Sequence, residues 1–257
     1  MVLTFEPKNI ENVHEAERGG GGEERLEYFI TDIHGDLQGF ELLLRHVGID
    51  FAKDRLVIGG DMINRGKDGA GVVKAVKALA DRYPSHVQVL IGNHEEMMGD
   101  YFRRGDRTWF QHGGEETPRI FRRTFPDEAA CRRHMEWAYS LPLVAEDDEF
   151  VYTHAGLNPC RPLHEQERDI LWMSEEEFYA WPREALLRLT GGRPIIHGHT
   201  PVERIYFDGV RMNCDLGSNT YSVVEERGLG LVNLTEMVYY VYKPAQNRIE
   251  KRNILRY

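Results

Sequence analysis

The chain has few cysteines and fewer basic than acidic residues. Each of these features excludes some classes of protein. The three cysteines, Cys131, Cys160 and Cys214, stand far apart without paired spacing, which is typical of free thiols in a reducing compartment. Lysine and arginine number 32 against 42 aspartates and glutamates, a net charge of −10, which argues against a nucleic-acid polymer as the main partner.

Long apolar runs are also lacking. No stretch reaches the length of a membrane span, and the N-terminus has no apolar core of the kind found in signal peptides. We therefore expect a cytoplasmic protein with no membrane partner. The oligomeric state is not predicted by any feature of the sequence.

Two regions differ in composition. Residues 1–24 are polar and charged and contain four consecutive glycines, which predicts a flexible N-terminal arm. Residues 25–257 carry strand and helix patterns with no linker between them, which predicts a single domain.

Strand and helix patterns alternate first, and strand patterns alone follow. The apolar segments that predict the first strands lie at 28–30, 56–58, 86–91, 150–152 and 194–196. Later strand patterns lie at 210–214, 230–234 and 238–242, and residues 96–141 are mostly helical in pattern. This order predicts an α/β protein with an added β region, and the 96–141 segment is a candidate cover over the site.

Polar side chains follow each of the first five predicted strands. They are Asp32 with His34, Asp61, Asn93 with His94, His154, and His197 with His199. Because the carboxyl ends of parallel strands meet at one edge of a sheet, we expect these side chains to share one pocket. Carboxylates, imidazoles and an amide without cysteine suit two divalent cations about 3.5–4 Å apart, which together activate water for an in-line displacement.

The turn at 59–66 concentrates this chemistry. Asp61 follows two glycines, whose backbone allows a sharp turn, and Arg65 follows four residues later. A planar guanidinium suits bidentate contact with phosphate oxygens. A carboxylate for a metal and an arginine for a phosphate indicate metal-assisted phosphoryl chemistry.

Five motifs in order resemble those of the calcineurin-like metallophosphoesterases. They are Asp32-x-His34-Gly35, Gly60-Asp61-x-x-Asn64-Arg65-Gly66, Gly92-Asn93-His94-Glu95, His154-Ala155-Gly156 and Gly198-His199-Thr200. The series is similar to the phosphoprotein phosphatase branch in its bacterial and phage form, near the symmetrical dinucleoside tetraphosphatases. The resemblance implies a four-layer α-β-β-α sandwich with one binuclear site.

The same resemblance implies a role for each residue. The first metal would be held by Asp32, His34 and Asp61, and the second by Asp61, Asn93, His154 and His199. A hydroxide between the cations would be the nucleophile. His94 would be the general acid, oriented by Asn64, and Arg65 would bind the phosphoryl oxygens. Asp215 and His197 are expected to support ligands rather than bind a metal.

Three departures from the family pattern bear on the substrate. Asn64 stands where an aspartate is usual, which shifts weight toward the tetraphosphatases. Met173 follows Leu171-Trp172, and Asn158 follows the His-Ala-Gly motif, so two expected arginines are absent. Phosphate binding is predicted to depend on Arg65 alone or to recruit Arg161, Arg168 or Arg193.

The predicted function is hydrolysis of phosphomonoesters, as in phosphoserine and phosphothreonine proteins, by a metal-bridging hydroxide. One alternative is hydrolysis of a symmetrical dinucleoside tetraphosphate or another polyphosphate. A second alternative is a catalytically weak relative that binds phosphorylated ligands. The expected cofactor is a pair of divalent ions, manganese first, with iron, zinc or cobalt also suited to the ligand set.

Overall fold

A computed structural model describes residues 25–257 of the chain. The predicted arm at 1–24 lies outside the described residues. In the first half the elements are β1 Glu27–Ile30, α1 Leu37–Val47, β2 Arg55–Ile58, α2 Gly69–Arg82, β3 Val87–Val89, α3 Asn93–Arg104, α4 Thr108–Gln111, α5 Thr117–Thr124 and α6 Glu128–Tyr139.

The second half adds a further sheet and a second set of helices. Its elements are β4 Val144–Glu146, β5 Val151–Thr153, two 3₁₀ turns at Leu163–Glu165 and Arg168–Trp172, α7 Glu175–Ala180, α8 Arg183–Thr190, β6 Ile195–His197, β7 Tyr206–Phe207, β8 Arg211–Asn213, β9 Leu229–Asn233, β10 Val238–Lys243, β11 Arg248–Asn253 and β12 Leu255–Arg256.

Two six-stranded sheets form the centre of the fold. The strand order is β11-β10-β9-β1-β2-β3 in one sheet and β12-β7-β8-β6-β5-β4 in the other. β1, β2 and β3 run parallel, as do β5, β6 and β8, whereas β9 and β10 pair antiparallel. Each sheet therefore contains a parallel block whose strand ends point the same way.

The four predicted layers follow from alternation along the strands. Side chains of a strand leave on opposite faces in turn. Tyr28 and Ile30 of β1 pack with the helices that follow β1 to β3, whereas Phe29 faces the other sheet and stacks on Tyr152 with ring centroids 5.9 Å apart. Val151, next to Tyr152, packs against the helices of the second half. The α-β-β-α sandwich is confirmed.

Most strand boundaries differ from the sequence prediction by one residue, and the largest differences are at the end of β3 and the start of α3. β3 is shorter than the predicted 86–91 strand, because the chain turns at Gly92 into α3. Asn93 and His94 consequently lie in the first turn of a helix rather than in a loop. No helix among residues 25–257 is long and apolar enough to cross a membrane.

A buried glutamate joins the start of α3 to the turn after β2. The Glu95 carboxylate accepts hydrogen bonds from the backbone amides of Asp61 at 2.8 Å, Met62 at 2.9 Å and Gly92 at 3.0 Å. A Cβ on Gly92 would overlap the carboxylate of Asp61. Burial raises the pKa of Glu95, and the amide hydrogen bonds oppose that rise. Glu95 thus holds the Asp61 turn against the helix that carries Asn93 and His94.

We predict that Glu95→Gln destabilises the fold. An amide group would turn an NH₂ toward backbone N–H donors and leave buried groups unpaired, at a cost of roughly 2–4 kcal/mol. The measurement is the free energy of unfolding in urea, with Glu184→Gln on the exposed face of α8 as the control. Equal stability of the two variants would contradict the role of Glu95.

Candidate metal centre

The predicted site residues come together where the strand ends of the two sheets meet. Asp32 and His34 follow β1, Asp61 follows β2, His154 follows β5 and His199 follows β6. Ligand atoms of His34, Asp61 and His94 lie within 4.8 Å of one another, and so do those of Asp61, His154 and His199. The two groups share Asp61.

The two carboxylate oxygens of Asp61 face different groups. Oδ2 lies 3.5 Å from His34 Nε2 and 3.8 Å from His94 Nε2. Oδ1 lies 3.6 Å from His154 Nε2. A carboxylate with one oxygen toward each group is the arrangement expected of a bridging ligand.

Backbone carbonyls set the tautomers of two histidines. His34 Nδ1 lies 3.0 Å from the carbonyl oxygen of Ile63, and His154 Nδ1 lies 2.9 Å from that of Gly59. Because a carbonyl oxygen only accepts, each Nδ1 must carry the proton. The Nε2 lone pairs of both rings therefore point into the centre, as metal ligation requires.

Polar side-chain atoms from different parts of the chain converge around Asp61 and His154. His199 Nδ1 lies 3.2 Å from His154 Nε2, and the side-chain amide of Asn93 lies 3.2 Å from His154 Nε2 and from both Asp61 oxygens. With its NH₂ turned toward these atoms the amide donates to them, whereas as a metal ligand it would present its oxygen. Asp32 Oδ1 is buried and has no hydrogen-bond partner among residues 25–257. Buried acceptors of this kind are costly unless paired, so the donor set fits divalent cations.

The raised pKa values of the buried carboxylates also indicate a site for cations. Burial, followed by the charges of Asp32 and Glu95, raises the pKa of Asp61 well above its usual value. Burial and Asp32 likewise raise the pKa of Asp215, whose Oδ2 is buried without a partner in the described chain. A cluster of carboxylates that resists ionisation is one that cations would stabilise.

The pKa values of several histidines, in contrast to those of the carboxylates, are lowered. Burial lowers the pKa of His199 to about 3, with a further contribution from His154. Burial, His34 and Arg65 lower the pKa of His94 well below its ordinary value. These imidazoles are therefore neutral near pH 7, which is the protonation state that metal ligation needs.

Backbone strain is concentrated at the same place. Of nine non-glycine residues with positive φ in the described part of the chain, six are predicted site residues: Asp32, His34, Asp61, Asn64, Arg65 and His199. Such conformations cost about 1–3 kcal/mol each and persist where the surrounding structure imposes them. The strain is independent evidence of a functional site.

Arg65 and Asn64 lie beside the two histidines that face Asp61 Oδ2. Arg65 Nη1 contacts His34 Nε2 and Thr220 Oγ1, both at 2.7 Å. The Asn64 amide lies 2.5 Å from His94 Nδ1. A guanidinium, an imidazole and the shared carboxylate thus border one small volume.

The other candidate arginines are engaged elsewhere. Arg161 pairs with Glu167 at 2.6 Å, and Arg193 pairs with Glu146 at 2.6 Å. Arg168 lies over the ring of Tyr139 at 4.2 Å. Of the four arginines considered, Arg65 is the one that the structure places at the centre.

Asp215 and His197 lie behind the ligand groups. Asp215 Oδ1 accepts from the Gly217 amide at 2.8 Å. His197 Nε2 lies 3.3 Å from the Tyr179 hydroxyl, and its ring packs on Phe178 with centroids 5.1 Å apart. Burial lowers the pKa of His197 to about 4. Neither residue belongs to the two groups around Asp61.

Three further side chains contact the site, although the sequence does not predict them there. Trp109 and Thr117 both donate hydrogen bonds to Asn64, and Thr220 contacts Arg65. For Trp109 the sequence alone indicates core or cover packing. No spacing in the sequence marks these residues, because they reach the site from α4, α5 and a late loop.

Comparison with known proteins agrees with this geometry. A symmetrical bis(5'-nucleosyl)-tetraphosphatase from Vibrio parahaemolyticus is 27% identical over 209 residues, which cover 74% of this chain and 72% of the relative. One from Chromohalobacter salexigens is 34% identical over 140 residues, which cover 51% of this chain and only 45% of the relative.

A solved structure shares the fold. A protein serine/threonine phosphatase from Saccharomyces cerevisiae superposes with a TM-score of 0.63 at 18% identity, over 91% of this chain and 81% of that one. The model of the calcineurin-like phosphoesterase family matches residues 28–224. The chain therefore belongs to the calcineurin-like phosphoesterases and is a metal-dependent hydrolase of phosphate esters or anhydrides.

Proposed function

We propose that this chain hydrolyses phosphomonoesters, including phosphoserine and phosphothreonine in proteins, at a two-metal centre. The observation that supports this most strongly is the carboxylate of Asp61, whose Oδ2 lies 3.5 Å from His34 Nε2 and whose Oδ1 lies 3.6 Å from His154 Nε2. The first metal would be held by Asp32, His34 and Asp61, and the second by Asp61, Asn93, His154 and His199. When bound, the two cations supply Lewis-acid activation of water and of the phosphoryl group.

Arg65 is proposed to bind the phosphoryl oxygens. Its guanidinium contacts His34 at the edge of the centre, so a phosphate held there would lie within its reach. Charge that develops on the oxygens in the transition state would be met by a planar cation already in place.

His94 is proposed to protonate the departing oxygen. Its Nε2 faces the centre, 3.8 Å from Asp61 Oδ2. Because burial lowers the pKa of His94, the ring is neutral, and its Nε2–H would donate a hydrogen bond that stabilises the charge developing on the departing oxygen. A proton that passes to this oxygen would be restored to Nε2 from solvent.

A dinucleoside polyphosphate is the second candidate substrate. The curated relatives bear that name, and a row of rings leads outward from the centre. His112 lies 6.4 Å from His94 and 5.8 Å from Trp172, ring centroid to ring centroid. Trp172 is 39% exposed, which supports a role for this ring in stacking on a nucleobase.

The cleft beyond these rings is acidic. It has a volume of about 230 Å³, and its walls include Glu96, Asp100 and Asp106 beside Trp172. Asp100 is paired with Arg104, and Arg168 lies 3.8 Å from Glu96, so the negative charge of these two carboxylates is partly balanced. Carboxylate oxygens still suit an amino group as a partner. Either the exocyclic amine of a base or a basic side chain near a phosphoserine would be favoured there.

We also propose that manganese is the native metal and that the protein is cytoplasmic. The ligand set accepts several divalent ions. The described residues contain Cys131, Cys160 and Cys214 as free thiols, in agreement with a reducing compartment.

Loss of the Asp61 carboxylate is expected to weaken metal binding. Asp61→Asn should remove at least one equivalent of metal and lower turnover of an aryl phosphate on the order of 10³-fold. Metal content by mass spectrometry and initial rates check this, with Asp148→Asn on an exposed loop as the control. Any measurable metal-dependent turnover by the parent chain would also reject a purely ligand-binding relative.

Loss of the proposed acid is expected to separate chemistry from metal binding. His94→Gln should lower kcat by about 10²–10⁴-fold with both cations retained. His164→Gln, whose side chain is 80% exposed, should leave kcat unchanged. Release of a cation from the His94 variant would show that His94 is a ligand instead.

The two candidate substrates can be compared directly. With manganese present, we expect phosphate release from a phosphoserine peptide. Hydrolysis of diadenosine tetraphosphate alone would reject the first candidate in favour of the second. In that case Trp172→Ala should raise KM for the dinucleotide by roughly 5- to 100-fold, the worth of one base stacked on an aromatic ring.

A further inference from the structure

We propose that Trp109 and Thr117 are positioning residues, which fix the direction of the Asn64 amide and thereby place the ring proton of His94 on Nε2. The inference rests on the proposed role of His94 as the proton donor. It assigns a function to two side chains that approach the site from the helical cover.

The direction of the Asn64 amide follows from its neighbours. Trp109 Nε1 lies 3.0 Å and Thr117 Oγ1 lies 2.7 Å from Asn64 Oδ1. An indole N–H can only donate a hydrogen bond. The amide atom that faces Trp109 must therefore be the oxygen, and the hydroxyl of Thr117 adds a second donor to the same atom.

The other end of the amide then determines the tautomer of His94. An amide NH₂ carries two donors and no acceptor. It lies 2.5 Å from His94 Nδ1, so Nδ1 must accept and cannot hold a proton. A neutral imidazole with a bare Nδ1 carries its proton on Nε2, and Nε2 is the atom that faces Asp61.

The surrounding packing keeps this chain of contacts in place. Trp109, Asn64, Thr117 and His94 are all at most 2% exposed, so water does not compete for their hydrogen bonds. The indole packs against Tyr101 and Phe110 with ring centroids 5.5 and 5.8 Å away. A Cβ on Gly114 would overlap the indole ring, which shows how closely the backbone covers it.

The orientation of the side chain matters at this position because residue 64 is an asparagine. Its two ends differ chemically, so rotation of the amide by 180° would present an oxygen to His94 and favour a proton on Nδ1. A carboxylate at this position has two equivalent oxygens and no such direction. The donors of Trp109 and Thr117 therefore matter to catalysis only while residue 64 is an amide.

The test is the pair of substitutions Trp109→Phe and Thr117→Val, made together in the parent and in an Asn64→Asp background. In the parent, we expect kcat on an aryl phosphate to fall about tenfold or more, with KM and metal content unchanged. In the Asn64→Asp background the same pair should change kcat by less than about twofold. The matched control is Trp137→Phe with Thr124→Val, which should leave kcat unchanged in either background; Thr124 lies in α5 with Thr117 and bonds only within that helix.

A second measurement tests the same proposal without relying on enzyme activity. In zinc-loaded protein, long-range ¹H–¹⁵N correlation spectra of the histidines report which ring nitrogen carries the proton, and His94→Gln assigns the signals. The parent should show a protonated Nε2 and a bare Nδ1 at His94. The double variant should lose that fixed pattern.

Two results would overturn the proposal. One is an equal fall in kcat in the parent and in the Asn64→Asp background, which would indicate general loosening of the cover. The other is an unchanged His94 spectrum in the double variant. If the double variant does not fold, Thr117→Val alone is judged by the same two measurements. A parent without turnover would refute the proposed function, while the spectra would still decide the orientation of the amide.

Discussion

The centre depends on one constraint: the two oxygens of Asp61 must each face a different set of buried lone pairs. Nitrogen and oxygen acceptors from both sheets converge on this carboxylate. Asp61 Oδ1 accepts a hydrogen bond from the His94 amide, but Asp32 Oδ1 and Asp215 Oδ2 are buried without a partner in the described chain. Such acceptors are costly, and cations beside them would offset that cost. The rest of the architecture serves to bring these atoms together and to hold them there. The Glu95 carboxylate does so directly, by binding the backbone of the Asp61 turn.

Backbone strain at the site follows from the same constraint. A strand that ends in ordinary extended backbone directs successive side chains to opposite faces. Asp61 and Asn64 are three residues apart and would leave an extended strand on opposite faces. At these residues, as at Asp32, His34 and Arg65, the chain adopts positive φ instead. The packed layers on both sides of the two sheets offset the cost. The strain is therefore stored where the ligand atoms are, and the stable core is elsewhere.

The sequence predicts the strands and several residues of the site, but it does not predict contacts that depend on how the helices pack over the site. Alternation of apolar residues predicts strands, and the carboxyl ends of parallel strands in one sheet meet, so the proximity of Asp32 and Asp61 was predictable. His154 follows a strand of the other sheet, and its place beside Asp61 depends on how the two sheets pack face to face. The contacts of Asn64 with Trp109 and Thr117 were not. They depend on how α4 and α5 fold back over the centre, and helical periodicity indicates a buried face without indicating which side chains it meets. The burial of Glu95 beneath the Asp61 turn was hidden for the same reason.

The distribution of positive charge explains why the reaction is clearer than the substrate. Arg161, Arg168 and Arg193 are engaged in ion pairs or ring contacts away from the centre, so Arg65 and the cations together would bind the phosphoryl group. Such a centre recognises any phosphate. Selection among phosphates must then come from the walls beyond it, where His112, Trp172 and Glu96 line the approach. His112 and Trp172 belong to segments outside the metal-binding motifs, whereas Glu96 lies in α3 directly after one of them. A change at His112 or Trp172 would therefore be expected to alter the substrate while leaving the chemistry intact.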